Sequence, residues 1–210
     1  MTTPEVVPVT RSDVERLGAV IATAFDDDPL FTWAVPDRER RNRRLPAWAA
    51  ASVRTGLAHG VADTAGGGSI ALWYAPGRTP RMVDQLRGGA LGALLRLRPG
   101  DVRRLASAER QAETAHRRHD PGSAAWYLAF LAVAPEDQGK GYAGALLRHG
   151  LARADRTGAP VWLETNTARN VAMYERFGFE VVAHEPAGAL PEFWGLLRQG
   201  RGAEEPLHDD

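Results

Sequence analysis

The chain has 210 residues, 44% of them hydrophobic, enough for one sizeable domain that buries its own core. Its 26 Lys and Arg balance 26 Asp and Glu, so a formal net charge of +0 argues against nucleic acid or an acidic lipid surface as the main partner. The absence of cysteine removes disulfides, thiolate metal sites and cysteine nucleophiles together, and no run approaches a membrane span, so a cytoplasmic protein is the expectation.

Val6 to Val9 reads as a short first strand. Thr10-Arg11-Ser12-Asp13 is a helix-start signal, with Ser12 or Thr10 as the cap and Glu15 in the first turn. Val14, Leu17, Val20, Ile21 and Ala24 then form an apolar stripe. Asp26-Asp27-Asp28-Pro29 is expected to break this helix and lead into a loop carrying Phe31 and Trp33. A second helix is expected over about Arg38 to His59, bent or split at Pro46. Its arginines Arg38, Arg40, Arg41, Arg43 and Arg44 read as a solvated face, with a phosphate contact as the other reading.

Gly60 to Asp63 and Ser69 to Tyr74 read as strands around the glycine turn Ala65 to Gly68. Pro80 to His119 is helical in bias, with a break at Pro99-Gly100-Asp101, and forms an insert over about 78–120. Its histidines are not gathered at ligand spacing, so no metal is expected. Trp126 to Val133 has the aromatic and branched run of a central strand, stopped by Ala134-Pro135. Gln138-Gly139-Lys140-Gly141-Tyr142-Ala143 follows, and a helix runs from there to Asp155. Glycines at a helix N-terminus let main-chain amides approach a phosphate or pyrophosphate.

After this loop come the strand Val161 to Thr165 and a helix from near Asn166 or Thr167 to Gly178. The pair Glu180 to Ala183 and Phe193 to Leu197 is expected to form the last hairpin, before a loose polar tail from Gln199, with 200–210 outside the domain.

The loop has three readings. Gly139-x-Gly141-x-x-Gly144 matches a dinucleotide fingerprint, with Glu164 about 20 residues beyond. Against it, five residues separate Val133 from the first glycine, and too little chain follows for a doubly wound sheet. A glycine turn before an ordinary helix is the second. The third is an acyl-CoA loop, and a family resemblance carries it.

Val133-x-Pro135-x-x-Gln138-Gly139-Lys140-Gly141-x-Ala143, with Leu163-Glu164-Thr165 and Asn170-x-x-x-Tyr174-Glu175-Arg176-x-Gly178-Phe179, resembles the GNAT superfamily of N-acetyltransferases. It is most similar to the subgroup that includes puromycin N-acetyltransferase, strongly over Ala124 to Val182 and faintly before that. The resemblance implies an α/β (α+β) GNAT fold over 1–199, with a mixed sheet splayed at its central strand. It implies acetyl-CoA held by Leu131, Ala132, Val133, Gln138, Gly139, Lys140, Gly141, Tyr142, Ala143 and Asn170. It implies Tyr174 near the CoA sulfur as proton donor, where spacing alone gives a buried packing ring. Glu164 is either the base that deprotonates the amine or an acid that positions the following loop, and a water chain could replace it.

Asp28, Phe31 and Trp33 fall where this fold borders its acceptor pocket, so a small-molecule amine is the expected partner of a monomer or homodimer. Asp28 stands where the puromycin enzyme has a tyrosine, so acceptor recognition departs from that subgroup. The alternative function is a catalytically idle acyl-CoA-binding sensor or regulatory module, and acetylation of a protein amine stays open.

Overall fold

The computed structural model describes residues 4–80, 84, 88–89, 98–119 and 124–200. Seven strands form one sheet: β1 (Val6–Pro8), β2 (Val61–Ala65), β3 (Ser69–Tyr74), β4 (Trp126–Val133), β5 (Val161–Thr165), β6 (Glu180–Glu185) and β7 (Phe193–Arg198). Their order is β1-β2-β3-β4-β5-β7-β6, antiparallel everywhere except between β4 and β5. A mixed sheet with a single parallel pair is incompatible with the dinucleotide reading, which needs successive parallel βαβ units.

The period of two along each strand sorts side chains onto two faces. Trp126 and Leu128 of β4 and Val161 and Leu163 of β5 lie in one cluster, packed by Leu146, Leu147 and Leu151 of helix α5 (Tyr142–Asp155) and by Tyr174 of α6 (Ala168–Glu175). On the other face Ile70, Leu72 and Ala132 meet α1 (Val14–Ala24) and α3 (Arg38–His59), whose Leu17, Ile21, Ala49 and Val53 are buried. Ala115 of α4 (Pro99–His119) packs with Ala183 and Phe193 over the β6–β7 end. Ala183 lies on the Trp162 face, since a Cβ at Gly195 would meet both side chains, so α4 covers the same side as α1 and α3.

Several boundaries differ from the sequence expectations. Asp28-Pro29 starts a helix rather than a loop: α2 (Pro29–Ala34) carries Phe31 and Trp33. The Asp28 carboxylate accepts from the Leu30 and Phe31 amides at 2.9 and 3.3 Å, and Pro29 sits where its missing N–H costs nothing. Pro99-Gly100-Asp101 is likewise helical, forming the first turn of α4 with Arg98 just outside it. α3 runs unsplit through Pro46. The helix after β5 ends at Glu175, and Gly178 adopts φ +84° in the turn that follows. The expected helical residues Met82, Leu86, Leu91, Leu94 and Leu95 lie outside the described residues, as do 201–210.

The arginine cluster of α3 is not simply a solvated face. Arg41 is 5% exposed, donates to the Val35 carbonyl at 2.9 Å and pairs with Asp26 at 3.3 Å. Arg40 pairs with buried Asp101 of α4 at 3.1 Å, which fastens the insert to α3. Each carboxylate is shared between two arginines, since Asp101 also accepts from Arg104 at 2.6 Å and Asp26 from Arg38 at 2.7 Å.

Close approach of α5 to the sheet depends on a missing side chain. A Cβ on Gly150 would lie 2.2 Å from the ring of Trp73, which is fully buried. Gly150→Ala is expected to destabilise the fold by about 2 kcal/mol or more through overpacking, read as a lower midpoint in denaturant with an unchanged slope.

Candidate active site

The parallel ladder between β4 and β5 has only three steps, Trp126↔Val161, Tyr127↔Trp162 and Leu128↔Leu163. β4 then continues to Val133 against β3 alone. At Ala129 the β3–β4 register slips, since Leu72 faces Phe130 and Trp73 faces Leu128. A bulge increases local twist and bends its strand, which turns β4 away from β5. The expected splay is therefore present, and among the described residues no strand pairs with the β5-side edge of Ala129 to Val133. A segment of extended main chain with free donors and acceptors suits an amide-bearing arm laid alongside it.

The glycine loop stands at the end of this edge. After β4 a single 3-10 turn (Pro135–Asp137) leads to Gln138, whose amide nitrogen donates back to the Val133 carbonyl at 3.3 Å. Gly139 and Gly141 have φ of +79° and +84°, and a Cβ on either would meet nothing within 4 Å. Left-handed backbone needs glycine here, and the space above it is an open cradle. α5 starts at Tyr142, so its first amides lack intrahelical acceptors and carry the positive end of the helix dipole. These residues fit the pyrophosphate of a coenzyme A. Lys140 is paired with Asp137 at 2.8 Å, which holds its ammonium above its usual pKa; its charge is therefore partly spent within the loop.

Tyr174 and Glu164 flank the opening from opposite faces. Tyr174 is 6% exposed, in the cluster that contains Leu128 and Leu163, where the parallel ladder ends. Its ring meets Phe179 edge-on at 5.8 Å, and burial pushes its hydroxyl well above the ordinary tyrosine value. Asn170, one turn earlier, donates to Thr165 Oγ1 at 3.3 Å and ties α6 to the end of β5. Glu164 is on the α1/α3 face with Trp162. Its Oε1 accepts from Trp162 Nε1 at 2.7 Å and its Oε2 from the Tyr127 hydroxyl at 2.8 Å. Tyr127 stacks on Tyr74 at 6.4 Å. Burial raises the Tyr127 hydroxyl well above its usual range, with the Glu164 charge and the more distant Glu109 of α4 adding to it; Tyr74 is pushed up to about 12 by burial. The structure thus does not join Tyr174 and Glu164 in one dyad, but sets one on each side of the gap.

Sequence reasoning missed Tyr127 and Trp162 as partners of Glu164. For Trp162 the signal existed: two residues apart on a strand means the same face. For Tyr127 it did not, since the contact spans 37 positions. Asp28, read as a recognition residue, spends its carboxylate as the cap of α2 and so seats Phe31; Trp33 is half-buried and stands outside the ring cluster that Phe31 joins.

Known proteins point the same way. Residues 104–181 match the acetyltransferase (GNAT) domain model. An uncharacterized N-acetyltransferase of Schizosaccharomyces pombe is 28% identical over 184 residues, covering 81% of this chain and 72% of the relative. A Corynebacterium glutamicum structure described as histone acetyltransferase HPA2 and related acetyltransferase has a TM-score of 0.68 at 24% identity, over 97% of this chain and 100% of that one. Arylalkylamine N-acetyltransferase 2 from Aedes aegypti gives 0.62 at 14%, over 94% and 99%. Agmatine N-acetyltransferase gives 0.56 at 15%, over 94% and 100%. At these identities the solved structures show the fold. The domain match and the curated relative make the chain similar to GNAT N-acetyltransferases, most directly over residues 104–181. No helix among the described residues is long and apolar enough to cross a membrane.

The cap assignment of Asp28 is testable. Burial raises its carboxyl above the ordinary value of 3.8, against the pull of the Phe31 and Leu30 amides. A carboxyl raised in the folded state binds its proton more tightly there, so it favours folding as pH falls and penalises it near neutrality. Asp28→Asn, which keeps the cap, is expected to match or exceed native stability at neutral pH, with the difference moving in favour of the native chain as pH falls toward 3.8. Asp28→Ala is expected to lose about 1 kcal/mol at neutral pH. Denaturant unfolding of the three proteins across that range checks both.

Proposed function

We propose that the protein transfers the acetyl group of acetyl-CoA to a primary amine of a small molecule, by direct attack in a ternary complex. The observation that carries this reading is the opened β4–β5 seam leading into the Gly139–Gly141 cradle. Under it, residues 1–199 act as one domain, with the insert of about 78–120 on the acceptor side and 200–210 as a polar tail. Leu131, Ala132 and Val133 present main-chain groups to the pantetheine arm. Gln138 to Ala143 hold the pyrophosphate, and Asn170 borders the arm from α6. Transfer to an aminonucleoside such as puromycin is one candidate within the class, although Asp28 stands where that subgroup has a tyrosine.

Acetyl-CoA supplies an acyl group activated as a thioester. The chain supplies position and proton management, for which no covalent intermediate with the protein is needed. Amides on the free edge of β4 are donors for negative charge developing on the acyl oxygen, worth most where water is excluded. Burial raises the Tyr174 hydroxyl well above the ordinary tyrosine value, which keeps its proton available for donation. A free thiol titrates near 8.5, below a tyrosine, so proton transfer between them in water would run uphill. The apolar surroundings that raise the hydroxyl also raise a thiol beside it, so burial leaves that order unchanged and Tyr174 acts by donating a hydrogen bond that stabilises the departing sulfur. Glu164, held at both oxygens, orients the incoming ammonium and receives its proton directly or through water.

Tyr174→Phe keeps the ring on Phe179 and removes only the hydroxyl. Acetyl transfer, followed by thiol release across a panel of amines, is expected to fall about tenfold or more in this variant with little change in acetyl-CoA binding. Unchanged turnover would return Tyr174 to a packing role. Tight acetyl-CoA binding with no turnover of any amine would favour the idle acyl-CoA sensor.

A further inference from the structure

On the α1/α3 face, four rings from four elements close into a cycle. Phe25 follows α1, Phe31 is on α2, Trp48 on α3 and Phe130 on β4. Successive centroids are 5.6 Å (Phe25–Phe31), 5.3 Å (Phe31–Trp48), 5.7 Å (Trp48–Phe130) and 6.1 Å (Phe130–Phe25), each pair edge-on. Phe31 is buried, whereas Phe25, Trp48 and Phe130 each keep part of their surface in solvent. Fully burying these rings would have added more stability than leaving them partly wet.

Phe130 fixes where this apolar wall stands. The next step of the parallel register beyond Leu128↔Leu163 would set Ala129 against Glu164, and the bulge puts Phe130 on the same face immediately after it. Glu164 and Phe130 therefore line the two sides of the opened seam. Beside Glu164, β7 contributes Gly195, over which the Trp162 ring lies, so that Trp162 floors this end of the site. Glu109 of the insert helix adds a second negative charge on this side, close enough to act on Tyr127. Carboxylates at one end and partly wet rings at the other form a site of mixed character.

We infer that the acceptor is a primary amine carried on an aromatic or comparably bulky apolar body, with its ammonium at Glu164 and its body against Phe130, Trp48 and Phe25. The inference rests on the acetyl-transfer reading for what happens to the amine, but not for where it binds. Charge complementarity favours the cation, and edge-on ring packing favours a flat apolar body over a polar chain of equal charge.

Equilibrium binding to the full-length protein loaded with CoA is compared for phenethylamine, butylamine and ethanolamine, three singly charged primary amines with different carbon bodies. Phenethylamine is expected to bind at least about tenfold more tightly than the other two. Phe130→Leu and Trp48→Leu, with folding checked by circular dichroism and by retained acetyl-CoA binding, are each expected to cut that preference to within about threefold. Glu164→Gln is expected to weaken all three amines alike. Equal binding of the three by the native protein, a preference that survives both ring variants, or indifference to Glu164→Gln would each overturn the inference. Because binding is read without turnover, an aromatic amine held with the stated preference but never acetylated sinks the acetyl-transfer reading and leaves the pocket assignment supported.

Discussion

The premature end of one parallel ladder governs the rest of the molecule. β4 and β5 share three steps of pairing and then part at Leu128 and Leu163. In a sheet buried on both faces, unpaired main-chain groups are costly unless something else takes them. Among the described residues, the chain leaves the β5-side edge of Ala129 to Val133 without a strand, while β3 pairs the other edge, and places a glycine cradle and a helix N-terminus directly beyond it. Stability forgone in the seam is the condition for a ligand to complete it. The antiparallel ladders on either side, β3 with β4 and β5 with β7, hold the two strands apart while keeping each rigid.

The seam also divides the labour between faces. α5 and α6 close one side, where the buried Tyr174 hydroxyl stands among apolar residues at the last shared step. α1, α2, α3 and α4 close the other, where Glu164 is pinned by Tyr127 and Trp162. Under the proposed acetyl transfer, a group in the seam would meet the Tyr174 hydroxyl from one face and the Glu164 carboxylate from the other. Arg40 with Asp101, and Arg41 with Asp26 and the Val35 carbonyl, keep the helices of the second face in register. Such buried pairs specify an arrangement more than they stabilise it.

Local chemistry was legible in the sequence, and distant partnership was not. Proline after β4, glycines at 139 and 141, and the helical spacing from Leu146 onward are constraints on neighbouring residues, and each element appeared where they placed it. Pro29 shows the limit of that logic, because proline begins a helix rather than ending one when a capping side chain precedes it. Asp28 is such a cap, and reading it as a turn concealed α2. Arg41 looked like one of five solvated arginines, since only the fold brings Asp26 and Val35 to it. The ring cycle joins positions 25, 31, 48 and 130, which no periodicity links.

Amide hydrogen exchange along the whole chain, with and without saturating acetyl-CoA, tests the opened seam most directly. If the β4 edge and the glycine cradle receive the donor, exchange at Ala129 to Val133 and at Gln138 to Ala143 slows by about tenfold or more, while β1 and β2 change little. Tight binding of acetyl-CoA with protection elsewhere, and none at either segment, would contradict the account.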